Sequence, residues 1–277
     1  MSPAAAVKTI ATIEPPSVRI GWLAETTRRN RFMPIPPEDA MFVGDGDYRA
    51  IGAEFLRHCV EIGGLRPHAR VLDIGCGIGR LAVPLTQYID PERGTYDGID
   101  PVKSGIDWCT GTITPAYPNF LFQHLDIRHP IYNPAGGIDG AAVTLPFAEA
   151  SMDFVTLISV ATHLPASELR HYAHEVARVL APGGTVMLTA FVMVPNPGAA
   201  FDDGATRLNC ARNGETRQWH IDAANPLGAV ALDDGVIEDI AQAAGLEVRR
   251  KALGHWRGRP AAHYQDIFII GHRQGLR

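Results

Sequence analysis

Apolar positions recur at helical spacing from Tyr48 onward: Ile51, Phe55, Leu56, Cys59, Val60 and Ile62 form one stripe that stops at Gly63-Gly64. That spacing predicts a helix. Beyond it the rhythm shortens. Apolar runs at 71–74, 96–100, 120–124, 154–159 and 185–191 predict strands, and amphipathic stretches at 80–88, 104–112 and 167–180 predict helices between them. Pro84 falls within the first turns of its helix, where a missing amide is tolerated. Ala181-Pro182-Gly183-Gly184 reads as a helix stop and turn before the fifth strand. Strands that alternate with helices and are apolar on both faces imply a parallel sheet covered on both sides. A helix at 234–244 and strands at 246–253 and 266–270 follow. The turn around Gly258 to Pro260 makes those two strands a hairpin, so one of them runs antiparallel to the sheet.

Two stretches break this pattern. Residues 1–47 carry Pro3, Pro15, Pro16, Pro34, Pro36 and Pro37 and finish in Gly44-Asp45-Gly46-Asp47. They are expected to form an N-terminal extension, either a strap-like tail or a lid, with a short amphipathic piece at 22–27. Residues 192–233 are polar, rich in Asn, Asp, Gly and Pro, and too long for an ordinary connection. They are expected to form a substrate cap inserted after the fifth strand. Residues 48–277 otherwise read as one α/β domain.

The first strand runs into Asp73-Ile74-Gly75-Cys76-Gly77-Ile78-Gly79-Arg80. Glycines at alternate positions let a ligand approach the backbone where a Cβ would intrude, and the following helix presents its first amides there. A dinucleotide turn wants Gly-x-Gly-x-x-Gly. Counted from Gly75 that last position is Arg80, and Asp73 would repel the phosphates. An acid at that place suits a ligand carrying positive charge.

Composition narrows the reading further. The 277 residues are 46% hydrophobic and 20% charged, enough for a full core, and the net charge of −5 disfavours a nucleic-acid partner gripped through phosphates. Arg28-Arg29-Asn30-Arg31 is a short basic cluster, expected in a solvated loop. Cys59, Cys76, Cys109 and Cys210 form no Cys-x-x-Cys pair, which speaks against a zinc site or a disulfide framework and for a reducing, cytoplasmic setting. Residues 1–12 lack the pattern of a secretory signal, and no run reaches the ~18 apolar residues of a membrane helix.

The segment Asp73 to Gly79, taken with the strand order around it, resembles the first motif of the class I S-adenosylmethionine-dependent methyltransferases. About two thirds of the chain carries the resemblance, 65–191 plus the closing hairpin. It implies a seven-stranded, mostly parallel sheet with helices on both faces and an antiparallel last strand. It also implies S-adenosylmethionine as cofactor, held by Asp73, Gly75, Cys76, Gly77, Gly79 and Arg80 at the glycine turn. Asp100 and Pro101 stand at the end of the second strand for the ribose, Asp126 and Ile127 at the third for the adenine, and Ser159 at the fourth. The phrase from Phe147 to Val155 and the run Arg178 to Gly184 match the family's fourth and fifth strand approaches.

His163, just past the fourth strand, is the titratable group best placed to take a proton from a hydroxyl acceptor; its alternative role is packing against the cofactor. Trp219, His220, the turn from Gly254 to Arg259, and Tyr264-Gln265-Asp266 are further substrate candidates, with Trp256 read mostly as packing. The segment Tyr132 to Gly137 reads as a shaped loop near the cofactor's outer edge. No metal is expected: the fourth strand ends without carboxylates, and His171, His174 and Glu175 read as a solvated helix face. The expected partner is a small-molecule methyl acceptor, a sugar or secondary-metabolite hydroxyl, with no membrane and the oligomeric state open. Transfer to an amine, a non-catalytic S-adenosylmethionine-binding protein and a nicotinamide-dependent oxidoreductase remain as rivals.

Overall fold

A computed structural model describes residues 16–44, 46–194, 211–212, 216–220, 222, 224–256, 258 and 260–273. Its elements run α1 (Pro16–Arg29), α2 (Tyr48–Glu61), β1 (Arg70–Ile74), α3 (Ala82–Leu85), β2 (Thr95–Asp100), α4 (Lys103–Thr112), β3 (Phe120–His124), β4 (Met152–Leu157), α5 (Ala166–Val179) and β5 (Leu180–Met193). Then come β6 (Ala211–Arg212), β7 (Gln218–His220), β8 (Val230–Asp233), α6 (Val236–Ala243), β9 (Leu246–Ala252) and β10 (Asp266–His272).

Seven of these strands form the sheet implied by the resemblance, in the order β3-β2-β1-β4-β5-β10-β9. The first five are parallel, and β10 is antiparallel to both its neighbours. Two apolar layers cover the faces. On one, Leu72, Val155, Leu188 and Phe268 pack under Tyr172 and Val176 of α5 and Ile237 and Ile240 of α6. On the other, Val71, Tyr96, Phe154 and Ile269 pack under Leu56 of α2, Leu85 of α3 and Cys109 of α4.

Some elements depart from their expected bounds for local reasons. The helix predicted at 80–88 narrows to the four residues of α3, because Pro84 has no amide to return to the Arg80 carbonyl. That carbonyl instead abuts Gly52 of α2, where a Cβ would sit 2.4 Å away. The fifth strand starts at Leu180 rather than 185, so Pro182 and Gly183 lie inside it; the pairing register shifts between Met152 and Phe154, and Gly183 sits at φ +80°. The strand β3 is not apolar on both faces. It lies at the sheet edge, where Leu121 stays 54% exposed.

The basic cluster is not a loop either, since Arg28 and Arg29 close α1 and both pair with Glu25. Helix α1 buries Ile20 in the same layer as Leu56 and Val83. The described part of the expected cap extends the sheet: Phe191–Met193 of β5 pair with β8, which pairs in turn with β7, and β7 with β6. Residues 195–210 of that cap, together with 1–15, lie outside the described residues.

Candidate functional site

The carboxyl ends of β1, β2 and β4 open into a cavity of about 620 Å³. Open α/β sheets place ligands at this edge, where neighbouring connections leave in opposite directions. The glycine turn forms its floor. Gly75 and Gly77 adopt φ +77° and +58°, and a Cβ on either would meet Val160 or Val43 at 2.4 and 2.6 Å. Only glycine fits there, and its absence of side chain lets the segment 42–44 close down on the turn.

Two buried carboxyls lie behind that floor. Asp100 accepts the Gly77 amide at 2.8 Å and the Val102 amide at 2.7 Å. Burial nevertheless pushes its pKa up to about 6, because both amides only partly offset the desolvation of the charge. Asp73 accepts the Thr156 hydroxyl at 2.6 Å and the Tyr96 hydroxyl, and is likewise raised to about 6 by burial. Asp73 therefore spends both oxygens within the core while lending its charge to the cavity wall.

Arg80 supplies the cation. It donates to the carbonyls of Val43 and Gly44 and stands 6.0 Å over the Tyr48 ring, and burial lowers its pKa. A ligand with hydroxyls and an ammonium for the carboxyl side and a carboxylate for the guanidinium side matches this wall.

Of the residues expected at the donor site, Asp73, Gly75, Cys76, Gly77, Arg80, Asp100, Pro101, Ile127 and Ser159 line the cavity, and so does His163. Asp126 is not in the lining: it follows β3 between Leu125 and Ile127, which line the wall, and its carboxylate is held by Asn133 Nδ2 at 3.0 Å and the Gly137 amide at 3.0 Å. Gly79 also stands outside the wall; it makes room for Cys109 and Ile113. Ser159 sits at φ +59°, with its amide on Thr189 Oγ1 at 2.8 Å and its hydroxyl against the Gln265 side chain.

His163 is held at both nitrogens. Nδ1 lies 3.0 Å from the Leu227 carbonyl and Nε2 lies 3.3 Å from the Tyr132 hydroxyl. Burial lowers its pKa from the ordinary histidine value, so the ring is neutral near pH 7. The expected cap thus reaches the site through Leu227, Gly228 and Ala229.

Among the other candidates, Tyr264 and Gln265 line the cavity. Trp256 is buried against Phe191, with its indole donating to Asp266, which also accepts the Val192 and Gly254 amides. Trp219 donates to Asp233, and His220 bonds the Pro226 carbonyl. Arg257 and Arg259 fall outside the described residues. His171 bonds the Val143 carbonyl, and Glu175 pairs with Arg178 and accepts the Leu145 amide, which fixes the approach to β4. Sequence reasoning missed His129, Glu168, Tyr172 and Phe55 as parts of the wall, and it did not single out 42–44 within the extension read as a tail or a lid. None belongs to a spaced motif; helical spacing placed Phe55 in α2 without showing which side it faces.

A family model described as a methyltransferase domain matches residues 72–188, from the glycine turn into β5. The 27-O-demethylrifamycin SV methyltransferase of Amycolatopsis mediterranei is 28% identical over 179 residues, covering 64% of this chain and 59% of that protein. A sterol 24-C-methyltransferase of Neurospora crassa is 26% identical over 153 residues, 55% of this chain and 35% of its own. The chain therefore spans less than two thirds of the length of these relatives. In fold, a protein from Pyrococcus horikoshii superposes with a TM-score of 0.58 at 16% identity over 84% of this chain and 95% of that one. An S-adenosylmethionine-dependent methyltransferase from Methanosarcina mazei reaches 0.51 at 18% identity, over 76% and 95%. The matched segment spans the glycine turn and the cavity floor, so residues 72–188 are similar to a methyltransferase domain, and the sheet around them has the Rossmann-like fold of the S-adenosylmethionine-dependent methyltransferases.

Proposed function

We propose that the chain methylates a hydroxyl of a small molecule, a sugar or a secondary metabolite, with His163 as the base. S-adenosylmethionine, when bound, supplies a methyl group on a sulfonium that leaves as a neutral thioether. The Gly75–Gly77 backbone and Asp100 would hold its nucleoside part, and Arg80 its carboxylate. The chain's own work is to orient the acceptor in line with that methyl and to accept its proton.

One observation carries the reading: the Leu227 carbonyl at 3.0 Å claims His163 Nδ1, which leaves Nε2 as a proton acceptor on the cavity wall. The rifamycin relative, by its name, methylates an oxygen, and the sterol relative a carbon. The donor half is thus shared across acceptor chemistries.

Purified chain incubated with S-adenosylmethionine and a panel of phenols, sugars and polyols tests this through release of S-adenosylhomocysteine. His163→Ala is expected to lower turnover by roughly a hundredfold or more while donor affinity in calorimetry stays unchanged. Undiminished turnover in His163→Ala ends the assignment. A second reading, transfer to an amine, draws on Glu168, a wall carboxyl whose pKa burial raises and which suits a cationic acceptor. Amines turned over equally well with and without His163 would favour it.

A further inference from the structure

We propose that Tyr132 is a catalytic residue of this transfer, its phenol passing the acceptor's proton to His163 Nε2. The proposal rests on His163 being the base and adds the path by which the proton reaches it. Because a carbonyl can only accept, the Leu227 contact makes Nδ1 the protonated nitrogen of His163 and Nε2 the bare one. The Tyr132 hydroxyl lies 3.3 Å from Nε2, so its single proton is directed there. The phenol oxygen then keeps its lone pairs for a hydroxyl in the cavity that both residues line. The two rings meet edge to face, with centroids 5.3 Å apart and planes at 87°.

The loop bearing Tyr132 is tied to His163 by a second imidazole. His129 Nδ1 accepts the Ile131 and Tyr132 amides at 3.2 and 3.3 Å, and its Nε2 donates to the His163 carbonyl at 2.9 Å. Both nitrogens of His129 are committed, which fixes it as the neutral Nε2–H form. The backbone amide and carbonyl of His129 also bond those of Asn133 at 3.0 and 2.9 Å, closing the loop on itself. His129 is a positioning residue: it holds the backbone of Tyr132 against that of His163. Burial raises the Tyr132 pKa and lowers that of His163, so near pH 7 the phenol is protonated and the imidazole is neutral, as a relay requires.

The step balances as follows. The acceptor oxygen forms a bond to the methyl carbon as the carbon–sulfur bond breaks, its electron pair going to sulfur. The acceptor's proton moves to the Tyr132 oxygen, and the phenolic proton moves to His163 Nε2. The products are a methyl ether, a neutral thioether, an intact phenol and an imidazolium that loses its proton to water once the product has left.

Two measurements on the full chain decide the matter. In long-range nitrogen–proton spectra of histidine-labelled chain, with His163→Gln used to assign the signal, His163 is expected as the Nδ1–H tautomer with its Nε2 resonance displaced by a hydrogen bond. Tyr132→Phe should move that resonance to the position of a bare acceptor nitrogen. An Nε2–H tautomer, or no change in Tyr132→Phe, overturns the proposal. In turnover of the same phenol, sugar and polyol panel, Tyr132→Phe should lower kcat by roughly tenfold to a hundredfold without changing S-adenosylmethionine affinity. The double variant should be no slower than His163→Gln alone, because residues acting as one unit are not additive. Equal or faster kcat in Tyr132→Phe, beside a collapse in His163→Gln, rejects the relay and keeps the base. Full turnover in His163→Gln, or no S-adenosylhomocysteine from any panel member with the unaltered chain, rejects the hydroxyl reading and the relay with it.

Discussion

Asp100 is a carboxyl that the empty protein would rather keep protonated. Its pKa stands near 6 against an ordinary value of 3.8, raised by burial at the end of β2. Between those two values the folded chain binds more protons than the unfolded one, so this group's contribution to stability falls as pH rises from about 4 to about 6. Asn keeps one acceptor oxygen and turns Nδ2 toward the second amide, so Asp100→Asn should lower the melting temperature of the ligand-free chain, but less at pH 7 than at pH 4. A ligand donating hydroxyls to the carboxylate reverses the preference, since it favours the charged form. Calorimetric affinity for S-adenosylmethionine should weaken as pH drops below about 6, and Asp100→Asn should flatten that dependence. Equal losses at both pH values would show that the carboxyl is not strained by its burial. The same scale shows what single residues reveal. Asp73, Gly75 and Gly77 were legible as neighbours in one cavity because one short motif fixes their backbone, and Asp100 because it ends the next strand. Asp126, between the lining residues Leu125 and Ile127, has its carboxylate bonded to Asn133 and the Gly137 amide, contacts that its place after a strand does not reveal.

Among the elements, the segment 42–44 has the clearest consequence for ligand exchange. Val43 packs against Gly77 where no Cβ intervenes, and the Arg80 guanidinium binds the Val43 and Gly44 carbonyls. If this strap closes over the donor, its release must break those bonds. Both bonds leave one guanidinium nitrogen, Nη2, and Arg80→Met removes that donor while keeping an unbranched apolar stem. Hydrogen bonds to charged groups contribute about 1.5–3 kcal/mol. The variant is accordingly expected to release S-adenosylhomocysteine roughly tenfold faster in stopped-flow, with protease cleavage within 38–47 accelerated. An unchanged release rate would reduce the strap to a static wall. The alternation of strands and helices was legible because buried parallel strands are short apolar runs with punctuated ends. The strap and the β6–β8 extension were not. Proline-rich and polar stretches carry no periodicity, and their order comes from distant partners such as Arg80, Thr162 and the end of β5.

At the scale of the molecule the cavity joins two kinds of wall. The side proposed for the donor comes from one continuous motif and two strand ends, all within the methyltransferase-domain match. The side proposed for the acceptor draws on Tyr132, Glu168, Leu227–Ala229 and Tyr264, contributed by stretches far apart in the chain. Acceptor identity is therefore a property of assembly that no local pattern encodes. The donor side, by contrast, permits a sharp choice between ligands. A ligand that binds only the folded state at a hundred times its Kd stabilises by about 2.7 kcal/mol, a rise in Tm on the order of 5 °C for a chain of this size. S-adenosylhomocysteine should produce such a rise and NAD none, because Arg80 occupies the place of the third dinucleotide glycine and the Asp73 carboxyl at the glycine turn opposes a pyrophosphate. Carrying the same melts through Asp100→Asn at pH 7 tests the carboxylate directly: the variant's gain from S-adenosylhomocysteine should shrink, because it no longer offers a carboxylate to the ligand's hydroxyls. An undiminished gain would remove Asp100 from the donor site.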